Sequence, residues 1–241
     1  DGEMDGVFTF QFFWPILTHG EEQVVELTEE NHDSTFGGSR AALYKGEFHI
    51  LDANIEPDDV ILDLGSNLGV FSVVMGKLFP QAHVHAIDAS ARACKLLRMN
   101  AVFNAALNVS VHNIAVGAEE LDNVEFFAEN EYNTCAITPE QQSLVNNNNN
   151  EEDHKVSVGK VRQITLETLL NSSLLNADKI KYAKIDIEGA EIPLFTKIFE
   201  KTPELLEKIE YLNLEVHGES VEANQIREKC KDHFGDRLFL Q

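Results

Sequence analysis

Apolar and polar positions fall in alternating blocks along most of the chain. From residue 57 onward, short apolar runs bounded by acids or glycine precede stretches with an apolar residue every three or four positions. These are the signatures of buried strands and amphipathic helices. Residues 58–65, DDVILDLG, predict a buried strand. Residues 69–79 predict a helix with Val70, Val73, Val74 and Leu78 on one side. Residues 83–88, HVHAID, predict a second strand, and Ser90 suits the cap of a helix running through about Asn104. Residues 108–116 predict a third strand, 179–187 a fourth, 208–217 a fifth, and 237–241 begin a sixth. A short helix fits 165–170, another opens near Pro193, and Val221, Ile226, Cys230 and Phe234 share one side of a last helix. Strands alternating with helices predict an α/β chain, with a mostly parallel, doubly wound sheet covered on both faces.

The rhythm breaks twice. Residues 123–129 and 154–164 are strand-like runs flanking a polar insert with five asparagines at 146–150, which reads as an inserted β-hairpin with a solvated loop. Near the start, 6–17 is apolar but interrupted by Pro15 and shorter than the ~20 residues a membrane span needs. It predicts a strand or helix packed on the core, or alternatively a lid. The layout is a single domain over 1–241. Residues 1–56 form an N-terminal segment or lid, and 57–217 a cofactor-binding core with the polar insert near 130–155. Residues 218–241 add a C-terminal helix and edge strand. The first residue is Asp1 rather than Met, as in a fragment of a longer polypeptide.

Charge narrows the partners. Against 19 basic residues stand 41 acidic ones, a net charge of −22. Such a surface repels phosphate backbones and anionic membranes, which disfavours nucleic acid. Cys94, Cys135 and Cys230 are too scattered for a disulfide framework or a zinc site, so free thiols in a reducing, cytoplasmic setting are expected.

The first core strand runs into a glycine turn that carries Asp63, Gly65, Ser66, Asn67 and Gly69. Strand, tight turn and helix place a ligand at the carboxyl end of the sheet. Gly65 is expected to let the backbone approach that ligand, and Gly69 to let helix and strand pack closely. The spacing is not that of a dinucleotide fold, because Asp63 stands where the first glycine would be. A carboxylate there suits a ligand with positive charge rather than a pyrophosphate. Asp88, followed by Ala89, ends the next strand and can accept the hydroxyls of a ribose. Asn113, late in the third strand, reaches an adenine edge or satisfies a backbone group. A nucleoside with a cationic tail and no phosphates describes S-adenosyl-L-methionine.

The fourth strand ends in YAKIDIEGAEI, and the fifth in LEVH. Alternation puts Asp186 and Glu188 on one side, and Glu215 and His217 on one side of the adjoining strand. These acids are expected to edge a polar cleft over the glycine turn. His217 is the best general base on its unperturbed pKa. Asp186 would contact either the methionine amino group or the attacking hydroxyl. Glu188 would do the same, orient His217, or hold the amides of the following turn. Glu191 is read as a helix cap outside the chemistry. The cluster could also hold a divalent metal, a reading ranked below a metal-free base.

The strings VILDLGSNLGVFS, HAIDAS, NIAVG, ITLETLL, KIDIEGAEI and LNLEVH stand in the order and spacing of FkbM-type methyltransferases. The resemblance covers about residues 36–217 and is most specific over Lys184–Glu191. Ser66 and Glu167 depart mildly from that pattern. The resemblance implies a class I, Rossmann-like methyltransferase that uses S-adenosylmethionine to methylate a hydroxyl on a sugar, glycan, polyketide or other small metabolite. It also implies a closing antiparallel strand pair, for which the C-terminus looks short. An N-methyltransferase and a non-catalytic binding or scaffold module remain the alternatives.

Overall fold

The most apolar runs become the central strands of one sheet, where they are largely buried. The computed structural model describes residues 8–18, 21–29, 46–50, 52–128, 134–136 and 156–241. The chain opens with an antiparallel hairpin, β1 (Phe8–Thr18) and β2 (Glu21–Glu29). The first strand was expected as strand or helix. Its partner was not, because the glutamates of EEQVVELTE hide the alternation. The remaining residues of the expected N-terminal segment, 1–7, 19–20, 30–45 and 51, lie outside the described residues.

The core follows as β3 (Val60–Leu64), α1 (Val70–Leu78), β4 (His83–Asp88), α2 (Ala91–Phe103) and β5 (Val109–Asn113). A second sheet is made by β6 (Ala115–Val116), β7 (Leu121–Ala128), β8 (Thr134–Ala136) and β9 (Val156–Ile164). The chain returns to the core through α3 (Leu166–Leu170), β10 (Ile180–Ile185), α4 (Glu191–Lys201), β11 (Ile209–Leu214), α5 (Val221–Phe234) and β12 (Leu238–Leu240).

The main sheet has six parallel strands in the order β12-β11-β10-β3-β4-β5. The chain winds outward from β3 to β5, returns beside β3 as β10, and winds outward the other way. It is the Rossmann-like, doubly wound α/β arrangement that the sequence predicts, with its switch point between β3 and β10. One face buries Ile61, Val84 and Tyr182 against α1 and α2. The other buries Leu62, Leu64, Ile185 and Leu214 against α4 and α5.

Three details differ from the expected layout. The run 108–116 breaks at Ile114, because β4 ends at Asp88 and offers β5 no partner beyond Asn113. The residues after the break, β6, pair with β9 instead. The inserted hairpin is the antiparallel pair β7 and β9, to which β8 adds on the far edge of β7. The asparagine run at 146–150 lies outside the described residues. Finally, β12 pairs with β11 in parallel, and no antiparallel closing pair occurs in the main sheet among the described residues.

Candidate active site

The turn after β3 is shaped by how closely two strand ends approach. Gly65 has φ +75°, and a Cβ there would lie 1.6 Å from the Asp186 carbonyl oxygen. Its missing side chain therefore admits the backbone beyond β10. Gly69, at φ +87°, leaves room for Leu97 of α2, whose Cγ would lie 2.5 Å from an added Cβ. The close packing it permits is helix to helix rather than helix to strand. Between them, Ser66 is buried and Asn67 takes a left-handed φ of +46°.

Asp63 is fully buried beneath this turn. One carboxylate oxygen accepts from Ser72 Oγ at 2.5 Å, and the other lies 3.7 Å from Lys184 Nζ. The positive charge that Asp63 meets is thus Lys184 of its own chain. Asp63 points into the α1 face of the sheet and is not open to a ligand's ammonium or sulfonium group, which corrects the expectation for it. Burial raises its pKa, and Lys184 works against that rise. Lys184 also donates to Asp186 Oδ2 at 3.1 Å. Burial lowers the pKa of Lys184, but the Asp186 and Asp63 carboxylates more than offset this and hold it above the usual lysine value. The lysine joins a carboxylate under the turn to one at the rim.

Asp88 is half-buried and ties two elements together. Its oxygens accept from the backbone N–H of Asn67 at 2.8 Å and of Ser90 at 2.7 Å. Burial pushes its carboxyl up to about 6. Each oxygen retains a lone pair, so a ribose can still be received. Asn113 donates to the carbonyls of Asp88 at 3.0 Å and Ala89 at 2.8 Å. Its amide N–H groups hold the loop after β4, which is the backbone-satisfying role rather than a free hand toward adenine.

The acids of β10 and β11 do converge. His217 lies past the end of β11 with Nε2 3.4 Å from Glu188, 3.6 Å from Glu215 and 4.0 Å from Asp186. Its Nδ1 lies 3.2 Å from Glu191 Oε1. That hydrogen bond, helped by the charges of Glu191, Glu188 and Asp186, raises the imidazole to about 9 despite its partial burial. His217 therefore carries its proton at neutral pH, which removes the ground on which it was preferred as the base. Burial, and then the charge of Asp186, raise the pKa of both Glu188 and Glu215. Glu188 also sits at φ +53°, a conformation costly for a residue with a Cβ and retained here in the turn that enters α4.

Glu191 was set aside in the sequence as a cap. It is fully buried and accepts from Ile187 N at 2.7 Å and Gly189 N at 2.9 Å while facing His217. It performs the amide-holding role considered for Glu188, and α4 begins at it rather than at Pro193. Lys184 was equally unassigned. A lysine inside an otherwise apolar strand run was the available signal, since lysine is rarely buried without a partner.

Two polar atoms at this corner, Asp63 Oδ1 and Ser66 Oγ, are buried without a hydrogen-bond partner. The acids around His217 suit a cationic, hydrogen-bonding group better than a phosphate. Asp186, Glu215 and His217 each offer one possible metal-ligand atom, all within 4.8 Å of one another. Lys184 beside Asp186 opposes a second cation there.

The sequence model of the Vibrio cholerae RfbT protein family matches residues 31–226. The chain belongs to that family. Its RfbT-family segment spans β3 through β11 and thus the whole site. Among characterised relatives, the chain is 22% identical over 165 residues to Methyltransferase 1 of Beauveria bassiana, covering 64% of each protein. It is 24% identical over 187 residues to Methyltransferase sdnD of Sordaria araneosa, covering 69% of this chain and 72% of that one. The match thus spans less than two thirds of the first relative's length. A solved SAM-dependent methyltransferase from Agrobacterium tumefaciens aligns over 43% of this chain and 32% of its own, at 20% identity and a TM-score of 0.29.

Proposed function

We propose that this chain is an S-adenosylmethionine-dependent methyltransferase of FkbM type that methylates a hydroxyl on a sugar, glycan, polyketide or other small metabolite. The observation that carries the reading is the acidic rim at the switch point. Asp186, Glu188 and Glu215 surround His217 within 4.0 Å, directly beside the glycine turn. Such a rim attracts a phosphate-free cationic donor and repels a dinucleotide. The names of the two fungal relatives support the same activity.

Asp88, with Ala89 and the turn of Gly65, Ser66, Asn67 and Gly69, would hold the ribose and the methionine end. Asn113 would fix the loop that carries Asp88. Asp63 acts from beneath, through Lys184, on Asp186. When bound, the cofactor supplies an electrophilic methyl group for in-line attack by an oxygen. The residues must place that oxygen within ~3–3.5 Å and accept its proton. At neutral pH the charged His217 donates from Nε2 to the oxygen, and a carboxylate, Glu188 or Asp186, accepts the proton. A metal is not needed for this step. The same rim would also attract an ammonium, so N-methylation of an amine is the second reading. Among the described residues no helix is long and apolar enough to cross a membrane. The buried free thiols of Cys94 and Cys230 agree with a cytoplasmic setting.

The test is methyl transfer from labelled S-adenosylmethionine to a library of hydroxylated and amine acceptors, followed across pH. A carboxylate base gives a kcat/KM that reaches its plateau before the imidazole of His217, held near 9, loses its proton. A rate that keeps climbing through pH 9 returns the base role to His217. The absence of transfer to any acceptor, with intact cofactor binding, favours a binding module.

A further inference from the structure

Most carboxylates in this cleft are partly exposed; Glu191 is not. It lies under the turn at the head of α4, with no accessible surface. Its two oxygens serve three groups: Oε1 accepts from Ile187 N and faces His217 Nδ1, and Oε2 accepts from Gly189 N. The two amides fix the carboxylate, because leaving either one unpaired in a buried turn costs about 1–3 kcal/mol. The carboxylate in turn fixes the ring. Whatever sits on Nε2, the neighbour of Nδ1 only accepts hydrogen bonds, so the proton of Nδ1 stays where it is.

We infer that Glu191 is the positioning residue of the site, holding His217 by Nδ1 so that Nε2 faces the cleft formed by Asp186, Glu188 and Glu215. The inference rests on the methyltransferase reading for its catalytic meaning, though not for its geometry. An unconstrained imidazole turns over and exchanges its two nitrogens. Here a ring flip would leave the Glu191 oxygen facing carbon and would turn Nδ1 away from the one acceptor fixed by backbone amides. The turn that carries Glu188 is anchored by the same carboxylate, so one buried group sets the direction of two rim side chains. A further consequence concerns the neutral ring. Free histidine favours the proton on Nε2; this site selects the opposite tautomer, which leaves the Nε2 lone pair toward the acceptor.

The experiment uses the whole chain with ¹⁵N-labelled histidine. At a pH where the ring of His217 is neutral, the proposal expects the Nδ1–H tautomer, and in Glu191→Gln a shift toward the Nε2–H form. A neutral ring in the Nε2–H form in the unmodified protein overturns it, and so does a Glu191→Gln ring indistinguishable from the original. Kinetics give the second readout. Glu191→Gln should lower kcat by about tenfold or more while leaving cofactor affinity within about twofold. In a His217→Gln background the same change should lower kcat no further. A full, additive loss in that background would show that Glu191 acts only on the backbone turn and overturns the positioning role. A protein that transfers no methyl group at all counts against the methyltransferase reading. The tautomer measurement then decides the positioning claim by itself.

Discussion

Replacing Lys184 by methionine removes the cation that joins Asp63 to Asp186 while keeping most of the side-chain volume. Lys184 Nζ stands 3.7 Å from Asp63 Oδ1 and 3.1 Å from Asp186 Oδ2. At an effective dielectric of ~20, a unit pair at about 3.7 Å attracts by about 4 kcal/mol. Methionine avoids the desolvation that lysine carries, which offsets part of that loss. Asp63, however, remains fully buried with only Ser72 as a partner. Removing one member of a buried pair typically costs ~3–5 kcal/mol, and the lower end applies here because the carboxyl of Asp63 can take up a proton. The assay is denaturant unfolding followed by circular dichroism at several pH values. Asp63 already has a raised pKa in the folded chain, and losing Lys184 raises it further. A group that binds its proton more tightly when folded adds stability as pH falls. The deficit of Lys184→Met should therefore shrink from pH 8 toward pH 5. The double variant Lys184→Met/Asp63→Asn should recover much of the loss at pH 8 and show little of that pH dependence. A Lys184→Met deficit under about 1 kcal/mol, or a double variant no more stable than the single one, would refute the reasoning.

Gly65→Ala should lower the melting temperature by about 6–12 °C, corresponding to roughly 3 kcal/mol, because its Cβ would meet the Asp186 carbonyl and its φ is left-handed; an unchanged melting temperature would contradict the close approach of β3 and β10. Asp88→Ala should weaken S-adenosylmethionine binding at least tenfold in calorimetry and loosen the cap of α2, and unchanged affinity would mean that the ribose lies elsewhere. The raised pKa of His217 means that its contribution to stability is complete below pH 6.5 and is lost as pH rises through about 9. The stability gap between the unmodified protein and His217→Gln should close over that interval, and a gap independent of pH would show that the ring is not held as an imidazolium.

The sheet was legible in the sequence because its central strands are mostly apolar runs that are largely buried. β2 was not, since the run EEQVVELTE sets its few apolar residues among glutamates. The break at Ile114 was hidden as well, because it depends on where the neighbouring strand ends. At the site, spacing sufficed to place Asp186, Glu188, Glu215 and His217 together. It could not say which carboxylate would be taken up by backbone amides, and Glu191 holds the amides that were considered for Glu188. Asp63 shows the same limit. Its position in the turn suggested a ligand contact, but the direction of its side chain depends on Lys184 and Ser72, which arrive from other elements. The state of His217 depends on the sum of its surrounding carboxylates, and its own pair of neighbours in LEVH reveals only Glu215.

The central claim is that the switch point receives a cationic, phosphate-free nucleoside. Parallel calorimetric titrations of the unmodified chain with S-adenosylmethionine and with NAD test it most directly. The account predicts one-site binding of S-adenosylmethionine and at least a hundredfold weaker binding of NAD. Equal or tighter binding of NAD, or no heat with S-adenosylmethionine, would contradict it.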